Sequence, residues 1–277
     1  MAMIIDGKII AERIKNELKG KLILIKKELR LAIIEAGASE ASRKFLEQKI
    51  KFADGLGIET KEYKFSLDIS TTKFRKELKK IVHLKKNSGV IIQLPLPEQI
   101  NVQYILNAIP PEKDIDVLSS RAIGDFATGR GKISPPVVEA LKEVFKEYKI
   151  DLNGKKVAIV GRGKLVGKPL ALWFLSQPVI LTVAGSEAGK GLGEITSQAD
   201  ILISGVGKPN LISGEMLKKG AICLDFGTSE SEGKLAGDFD FESAKEKAGL
   251  LSPVPGGLGP IVVACVFKNL VSLNSKF

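Results

Sequence analysis

The 277-residue sequence has few of the side chains on which much enzyme chemistry depends: one histidine, two cysteines and one tryptophan. A Ser-His-Asp triad or a histidine-rich metal site would have to use His83, which ends a lysine-rich helical pattern and is expected at its surface. Cys223 and Cys265 each lie inside an apolar stretch. This excludes a disulfide framework and a cysteine-based metal site, and no metal is predicted. Catalysis would therefore depend on lysine, aspartate or a cofactor.

Long apolar runs are also missing, because no stretch approaches the ~20 residues of a membrane span. The first residues, MAMIIDGK, lack the basic start and apolar core of a signal peptide, so we expect a cytoplasmic protein. The 42 lysines and arginines exceed the 32 acidic residues and give a net charge of +10, which favours an anionic partner. Only 6% of residues are aromatic and the basic residues are scattered. A nucleic acid or a membrane is therefore not the expected partner.

The remaining sequence alternates helical patterns with short apolar runs bounded by glycine and proline, which is typical of an α/β fold with parallel strands. A first series has helices near 10–29, 41–56 and 72–84 and strands near 31–34, 63–65 and 89–94. A second series has strands near 156–160, 179–183, 201–204 and 221–224, the rhythm of a dinucleotide-binding sheet. The stretch 117–134 has little periodicity and is predicted to be an inter-domain linker.

Lys49 is the most informative lysine. Its helical neighbours three and four positions away are apolar, so it projects from an apolar stripe without a carboxylate partner on its own helix. Ser42, Phe45 and Lys49 share one helix face and could line one wall of a pocket. Burial would lower the pKa of the amine and suit acid/base work. The alternative is a lysine whose stem covers apolar surface while its amine reaches water.

Two further polar positions follow apolar strands. Gln93 ends the run GVIIQ before two prolines, at a strand end where α/β sheets place ligands. It could hydrogen-bond a flat heterocycle, or it could satisfy loop backbone. Asp114 and Asp116 alternate in an extended segment, so one of them could face a cleft. The alternative is a pair of solvated loop acids.

The segment GRGKLVGKP follows the strand near 156–160 and precedes a helix. Its glycines permit close backbone approach and its proline suits a first helical turn, so bare amides and basic side chains could cradle a phosphate. The spacing misses G-x-G-x-x-G by one residue, but the position between strand and helix supports the prediction. The predicted contacts are Gly161, Arg162, Gly163, Val166, Gly167 and Pro169.

The end of the next strand carries an ambiguous signal for the cofactor. Ser186 with Arg162 favours a 2′-phosphate, whereas Glu187 favours a free ribose hydroxyl. NADP is the expected cofactor, with NAD as the alternative. Later in the chain, PVPGGLGP is too rigid for an ordinary linker and is predicted to let a ligand lie against its backbone.

In combination, these motifs resemble the bifunctional methylenetetrahydrofolate dehydrogenase/cyclohydrolase family. The resemblance covers nearly the whole chain through IIDGK, SRKFLEQKIKFADGLGI, GVIIQLPLP, PEKDID, GKKVAIVGRGKLVGKP, ADILISGVGKP, GDFDF and SPVPGGLGP. It implies an α/β fold with a folate-binding catalytic domain (1–133 and 256–277) and a Rossmann-like nicotinamide-binding domain (134–255). Two long helices would join the domains, and the family usually forms homodimers.

The resemblance also implies an activity: oxidation of 5,10-methylenetetrahydrofolate with NADP, then hydrolysis of the methenyl product to 10-formyltetrahydrofolate. Lys49 matches the catalytic lysine, Gln93 the glutamine beside it, and Asp116 the acid that holds the pterin ring. Arg162 and Ser186 match contacts of the 2′-phosphate region. The other implied substrate contacts are Phe45, Pro255, Gly256 and Gly257.

Several residues depart from the family pattern. Phe45 stands where the family usually has tyrosine, Val117 replaces a glycine, Gly163 a serine and Gly185 a histidine. These differences leave three alternatives: a dehydrogenase with inefficient cyclohydrolase activity, an enzyme acting on a related pterin carrier, or a non-catalytic folate- or nucleotide-binding regulator. Retention of Lys49 together with Gln93 and Asp116 argues against the regulator.

Overall fold

The computed structural model describes residues 2–25, 27–37, 40–231 and 234–275. The strands are β1 (Met3–Ile4), β2 (Arg30–Ala36), β3 (Glu59–Phe65), β4 (Gly89–Ile92), β5 (Lys156–Val160), β6 (Ile180–Ala184), β7 (Ile201–Ser204), β8 (Ile222–Asp225), β9 (Ser229–Ser231), β10 (Lys234–Ala236) and β11 (Leu250–Leu251). The helices are α1 (Gly7–Ile23), α2 (Glu40–Asp54), α3 (Thr71–His83), α4 (Val102–Leu106), α5 (Ser120–Ala127), α6 (Pro136–Glu147), α7 (Gly167–Phe174), α8 (Leu192–Thr196), α9 (Phe241–Lys247) and α10 (Leu258–Asn274).

The chain forms two compact units. The six-stranded unit contains Met1–Ala11 and Val137–Val262, and the three-stranded unit contains Glu12–Pro136 and Val263–Phe277. The division falls within α1 and α10, so each of these 17-residue helices contributes to both units. The helix predicted over 10–29 begins and ends earlier than expected.

The sheet of the six-stranded unit is parallel, with the order β1-β11-β8-β7-β5-β6. β6 and β7 follow β5 in the chain but lie on opposite sides of it, which creates the switch point where open α/β sheets bind ligands. The prediction that residues 1–11 and 256–262 belong with the folate-binding domain differs from this arrangement. Met3 and Ile4 pair with Leu250 and Leu251, because this edge of the sheet offers unsatisfied backbone groups.

The three-stranded sheet is also parallel, with β2 between β3 and β4. One face packs against α3, where Phe74 and Leu78 join a core with Ile34 and Ile92. On the opposite face, Leu270 of α10 and Ile115 pack directly against Gly89. A Cβ at this position would lie only 2.6 Å from Leu270 and 2.9 Å from Ile115. The α10 face of this sheet carries the side chains described below.

The stretch 117–134 is not the structureless linker that its sequence predicted. It contains α5, and the Ser119 hydroxyl caps this helix by accepting from the Ala122 amide at 3.2 Å. The helix is too short for periodicity to reveal it. Among the described residues, no helix is long and apolar enough to cross a membrane.

Candidate active site

Lys49 is buried rather than reaching water: only 6% of the residue is exposed. Its amine lies 5.0 Å from the centre of the Phe45 ring, within the range of a cation–π contact. One turn later Phe52 stacks on Phe267 of α10 with ring centres 5.2 Å apart, which fixes the side of the helix that faces the interior. Burial lowers the pKa of the Lys49 amine, and the nearby charge of Asp116 partly opposes this. The side chain of Ser42 lies outside the described part of the chain.

The structure separates the roles of the two alternating acids. The Asp114 carboxylate accepts hydrogen bonds from the amides of Leu118 (3.1 Å) and Ser119 (2.7 Å), so it holds the turn that leads to α5. Asp116 is instead half-buried and interacts electrostatically with Lys49. Burial raises the pKa of the Asp116 carboxyl, and the lysine charge opposes that shift. Of the two, Asp116 is therefore the acid that faces the amine.

Gln93 directly follows β4, and its backbone amide donates to the backbone carbonyl of Ile34 at 2.8 Å. It is 7% exposed. Its side-chain oxygen Oε1 is buried and accepts no hydrogen bond from the described residues, although the residue makes other interactions. The parallel register that pairs Ile34 with Ile92 places Gln93 beside Glu35, on the α10 face of the sheet.

Glu35 was not identified from the sequence. It is 6% exposed, and the signal that could have revealed it is a carboxylate placed directly after the apolar run Leu31–Ile34. Near a strand's carboxyl end, such a residue can accept hydrogen bonds from a ligand that has N–H groups. His83, by contrast, lies on the surface as expected, where its Nδ1 donates to the Lys79 carbonyl at 2.6 Å.

In the six-stranded unit, the turn after β5 approaches the start of α7 closely. Gly161 has φ of 102°, and its missing side chain leaves room for the Gly205 carbonyl, which would be 2.9 Å from a Cβ. A Cβ on Gly167 would overlap the carbonyl oxygen of Gly161. Pro169 lies in the first turn of α7 and Val166 directly precedes it. The resulting open backbone cradle beside the switch point fits the phosphates of a dinucleotide.

Arg162 turns toward the end of β6. Its guanidinium donates to Glu187 at 2.7 Å, in an ion pair where both side chains are more than half exposed. Gly185 makes this possible, since a Cβ there would lie 2.5 Å from Arg162 Nε. Ser186 begins the following 3₁₀ helix, next to Glu187. Arg162, which favours a 2′-phosphate, is thus ion-paired with Glu187, which favours a free ribose hydroxyl.

The glycines of PVPGGLGP pack against the start of α1 within the six-stranded unit. The Gly7 amide donates to the Gly256 carbonyl at 3.0 Å, and Gly256 has φ of 101°. The peptide bond between Val254 and Pro255 is cis. A Cβ on Gly257 would overlap the Pro253 carbonyl. This packing accounts for both glycines, and substrate contact by Pro255, Gly256 and Gly257 stays a prediction.

Two family models together match most of the chain. The model described as tetrahydrofolate dehydrogenase/cyclohydrolase, catalytic domain, matches residues 5–116. The model for the NAD(P)-binding domain of the same family matches residues 135–277. The chain belongs to the tetrahydrofolate dehydrogenase/cyclohydrolase family. This confirms the resemblance that the sequence motifs predicted.

Relatives of this family match over nearly their whole length. The bifunctional protein FolD of Caldanaerobacter subterraneus is 39% identical over 267 residues, which are 96% of this chain and 95% of that protein. The crystal structure of bifunctional FolD from Campylobacter jejuni is 32% identical, has a TM-score of 0.93 and covers 99% of both chains. The Trypanosoma brucei enzyme, solved with NADP cofactor and an inhibitor, is 28% identical, with a TM-score of 0.92 over 99% of this chain and 97% of that one.

Val117, where the family usually has glycine, adopts φ of 57°. A β-branched side chain rarely takes this left-handed conformation, and the cost is on the order of 1–3 kcal/mol. Val117 is 1% exposed, so burial of its side chain offsets part of that strain. The turn between Asp116 and the cap of α5 thus forms with valine at this position.

The turn after β5 gives the first testable prediction. Gly167→Ala should weaken dinucleotide binding and destabilise the six-stranded unit by ~1–3 kcal/mol, because its methyl group would overlap the backbone of Gly161. Gly191→Ala is the matched control, since no atom lies within 4 Å of a Cβ at that position and its φ of −78° suits alanine. Titration with NADP and thermal unfolding of both variants measure the effect. Equal affinity and equal Tm in the two variants would contradict the proposed cradle.

Proposed function

We propose that this chain oxidises 5,10-methylenetetrahydrofolate with NADP and hydrolyses the resulting methenyl compound to 10-formyltetrahydrofolate. The observation that carries the proposal is the Lys49 amine, buried against Phe45 and facing Asp116 in a member of this family. An amine in such a place has a lowered pKa and gives up its proton more readily than an exposed lysine. The non-catalytic alternative gives no reason to bury a lysine there.

The residues divide the work as follows. The Asp116 carboxylate accepts hydrogen bonds from the N–H groups of the pterin ring, and the side-chain amide of Gln93 donates to the ring carbonyl. The turn Gly161–Pro169 would hold the phosphates of NADP, and the cofactor, when bound, would supply the acceptor for the hydride of the methylene carbon. In the second step, water adds to the methenyl carbon and the carbon–N5 bond breaks. Lys49 takes a proton from the attacking water, one proton ends on N5, and the other is released.

A direct assay tests this proposal. The purified chain, supplied with 5,10-methylenetetrahydrofolate and NADP, should form the methenyl compound and then 10-formyltetrahydrofolate. Parallel assays with NAD and with a related pterin carrier decide between the alternative cofactors and substrates. Binding of folate and NADP without turnover would instead show a regulator.

Phe45 supports a second candidate, a dehydrogenase with slow hydrolysis. Its ring holds the Lys49 amine from one side but has no hydroxyl to order the attacking water. Phe45→Tyr should therefore raise the ratio of hydrolase to dehydrogenase activity, and the wild-type protein should accumulate the methenyl compound. Thermal unfolding must accompany the assay, because the added oxygen could cost ~1–3 kcal/mol. A stable variant with an unchanged ratio would show that another group supplies the hydroxyl.

The ion pair between Arg162 and Glu187 is expected to set cofactor discrimination. Glu187→Gln should favour NADP over NAD by about tenfold relative to the wild type, because it releases Arg162 and removes a charge that repels the 2′-phosphate. Glu194→Gln, on the neighbouring helix α8, is the control and should leave the ratio of the two dissociation constants unchanged. If both variants give the wild-type ratio, Glu187 does not discriminate.

We further propose that the chain forms a homodimer in the cytoplasm. β6 lies at the edge of its sheet with an exposed Ile180, and Leu175 is exposed just before it. An edge strand with apolar side chains is suited to pairing with a second copy. The two cysteines are buried thiols, as a reducing compartment permits. Sedimentation should give the mass of two chains.

A further inference from the structure

Two buried aspartates of the six-stranded unit have no role in the function proposed above. Asp225 is the last residue of β8 and is 3% exposed, while Asp238 is fully buried. Asp238 belongs to GDFDF, a motif that helped to establish the family resemblance but to which no chemistry was assigned. Carboxylates buried this deeply are costly unless they are hydrogen-bonded, so their donors indicate what they do.

Asp238 takes four hydrogen bonds from the end of β7 and the loop after it. The Ser204 hydroxyl donates at 2.6 Å, and the amides of Val206, Gly207 and Lys208 donate at 2.7, 2.9 and 2.8 Å. Three successive amides aimed at one point form a nest of the kind that binds an external anion. Here the carboxylate of Asp238 fills the nest, and the loop 205–208 closes around it.

This loop is one wall of the dinucleotide cradle. A Cβ on Gly205 would overlap the side chain of Val166, and the Gly205 carbonyl is the group that requires a glycine at 161. The loop and the turn after β5 are therefore in direct contact at the switch point. A shift of the loop would displace the backbone that lies beside the cofactor.

Asp225 in turn holds Asp238 in place. Its carboxylate accepts from the amides of Gly227 (2.8 Å) and Phe239 (3.0 Å), and the amide of Asp238 also donates to it. A Cβ on Gly227 would overlap the Asp238 carboxyl. Backbone thus encloses each of the two carboxylates. It approaches them closely because its amides donate hydrogen bonds to them and because glycine at 227 has no side chain to clash.

We propose that Asp238 is a positioning residue for the dinucleotide: it fixes the loop 205–208 as a wall of the NADP site and takes no part in the hydrolytic step. The inference rests on the proposed function, because it assigns Asp238 to only one of the two activities. The effect on the two activities distinguishes a positioning residue from one that only maintains the fold. A residue that only maintained the fold would affect both activities alike.

The test is Asp238→Asn in the full chain, which keeps the shape but leaves one acceptor oxygen for four donors. The dissociation constant and the KM for NADP should rise about 10- to 100-fold. Hydrolysis of supplied methenyltetrahydrofolate should stay within twofold. Asp240→Asn is the matched control, since this second acid of GDFDF caps α9 by accepting from the Ser243 amide, and its NADP affinity should equal that of the wild type.

Wild-type NADP affinity in Asp238→Asn, or a parallel loss of both activities, would overturn the inference. If that variant does not fold, Ser204→Ala removes one of the four donors and should still weaken NADP binding several-fold without changing hydrolysis. Unchanged binding in a folded Ser204→Ala would count against the inference in the same way. A wild-type chain that binds NADP without folate turnover would overturn the proposed function alone, and the binding comparison would still decide the role of Asp238.

Discussion

Lys49→Ala is expected to lower the rate of water addition to methenyltetrahydrofolate by ~10²–10⁴, the usual effect of removing a general acid or base. The amine is buried against the Phe45 ring, and burial lowers its pKa so that a larger fraction is neutral near pH 7. The neutral amine can accept a proton from the attacking water. The wild-type rate should therefore rise with pH as the amine loses its proton, and this dependence should disappear in the variant.

Two further variants separate proton transfer from charge. Lys49→Arg keeps a positive charge but cannot release its proton, so it should stay slow at every pH. Lys51→Ala removes an exposed lysine from the same helix and should leave the rate unchanged. Hydrolysis by Lys49→Ala at the wild-type rate would disprove the assignment of this residue.

Asp225→Asn is expected to remove a pH-dependent loss of stability. Burial raises the pKa of the Asp225 carboxyl from 3.8 to about 7. Below pH ~4 the carboxyl is protonated in both the native and the unfolded state and has no effect on stability. Between about pH 4 and 7 the unfolded chain releases the proton while the native state retains it, so the free energy of unfolding falls by ~4 kcal/mol as pH rises.

Asparagine resembles the protonated acid and does not titrate, so the variant lacks this contribution. The stability of the wild type relative to Asp225→Asn should fall across that window and become constant above pH 7. Urea unfolding of both proteins at intervals from pH 4 to 8 measures the difference. A difference that does not change with pH would contradict the raised pKa. The charge of the neighbouring Asp238 also raises the pKa of Asp225. Asp238→Asn should therefore lower that pKa and shorten the pH range over which the stability falls.

The sequence determined the elements whose signals are local. The strand Lys156–Val160 has the predicted bounds because an apolar run of β-branched residues stops at a glycine. The helix around Lys49 ends as predicted near Gly57, which has φ of 68°, and the Ile58 amide bonds back to the Ala53 carbonyl. The apolar stripe around Lys49 is a property of helical spacing alone, but the sequence left open whether the amine reaches water, and the tertiary structure shows that it is buried.

Only the tertiary structure decided which polar groups meet. Alternation in the segment after β4 could not say whether Asp114 or Asp116 faces Lys49, because that depends on amides that a turn places around Asp114. Arg162 and Glu187 lie 25 positions apart and meet only across the ends of two strands. Asp238 likewise finds its four donors 30 to 34 positions away. Periodicity reports which face of an element is apolar, whereas burial and partner choice for a charged group depend on residues far apart in the chain that folding brings together.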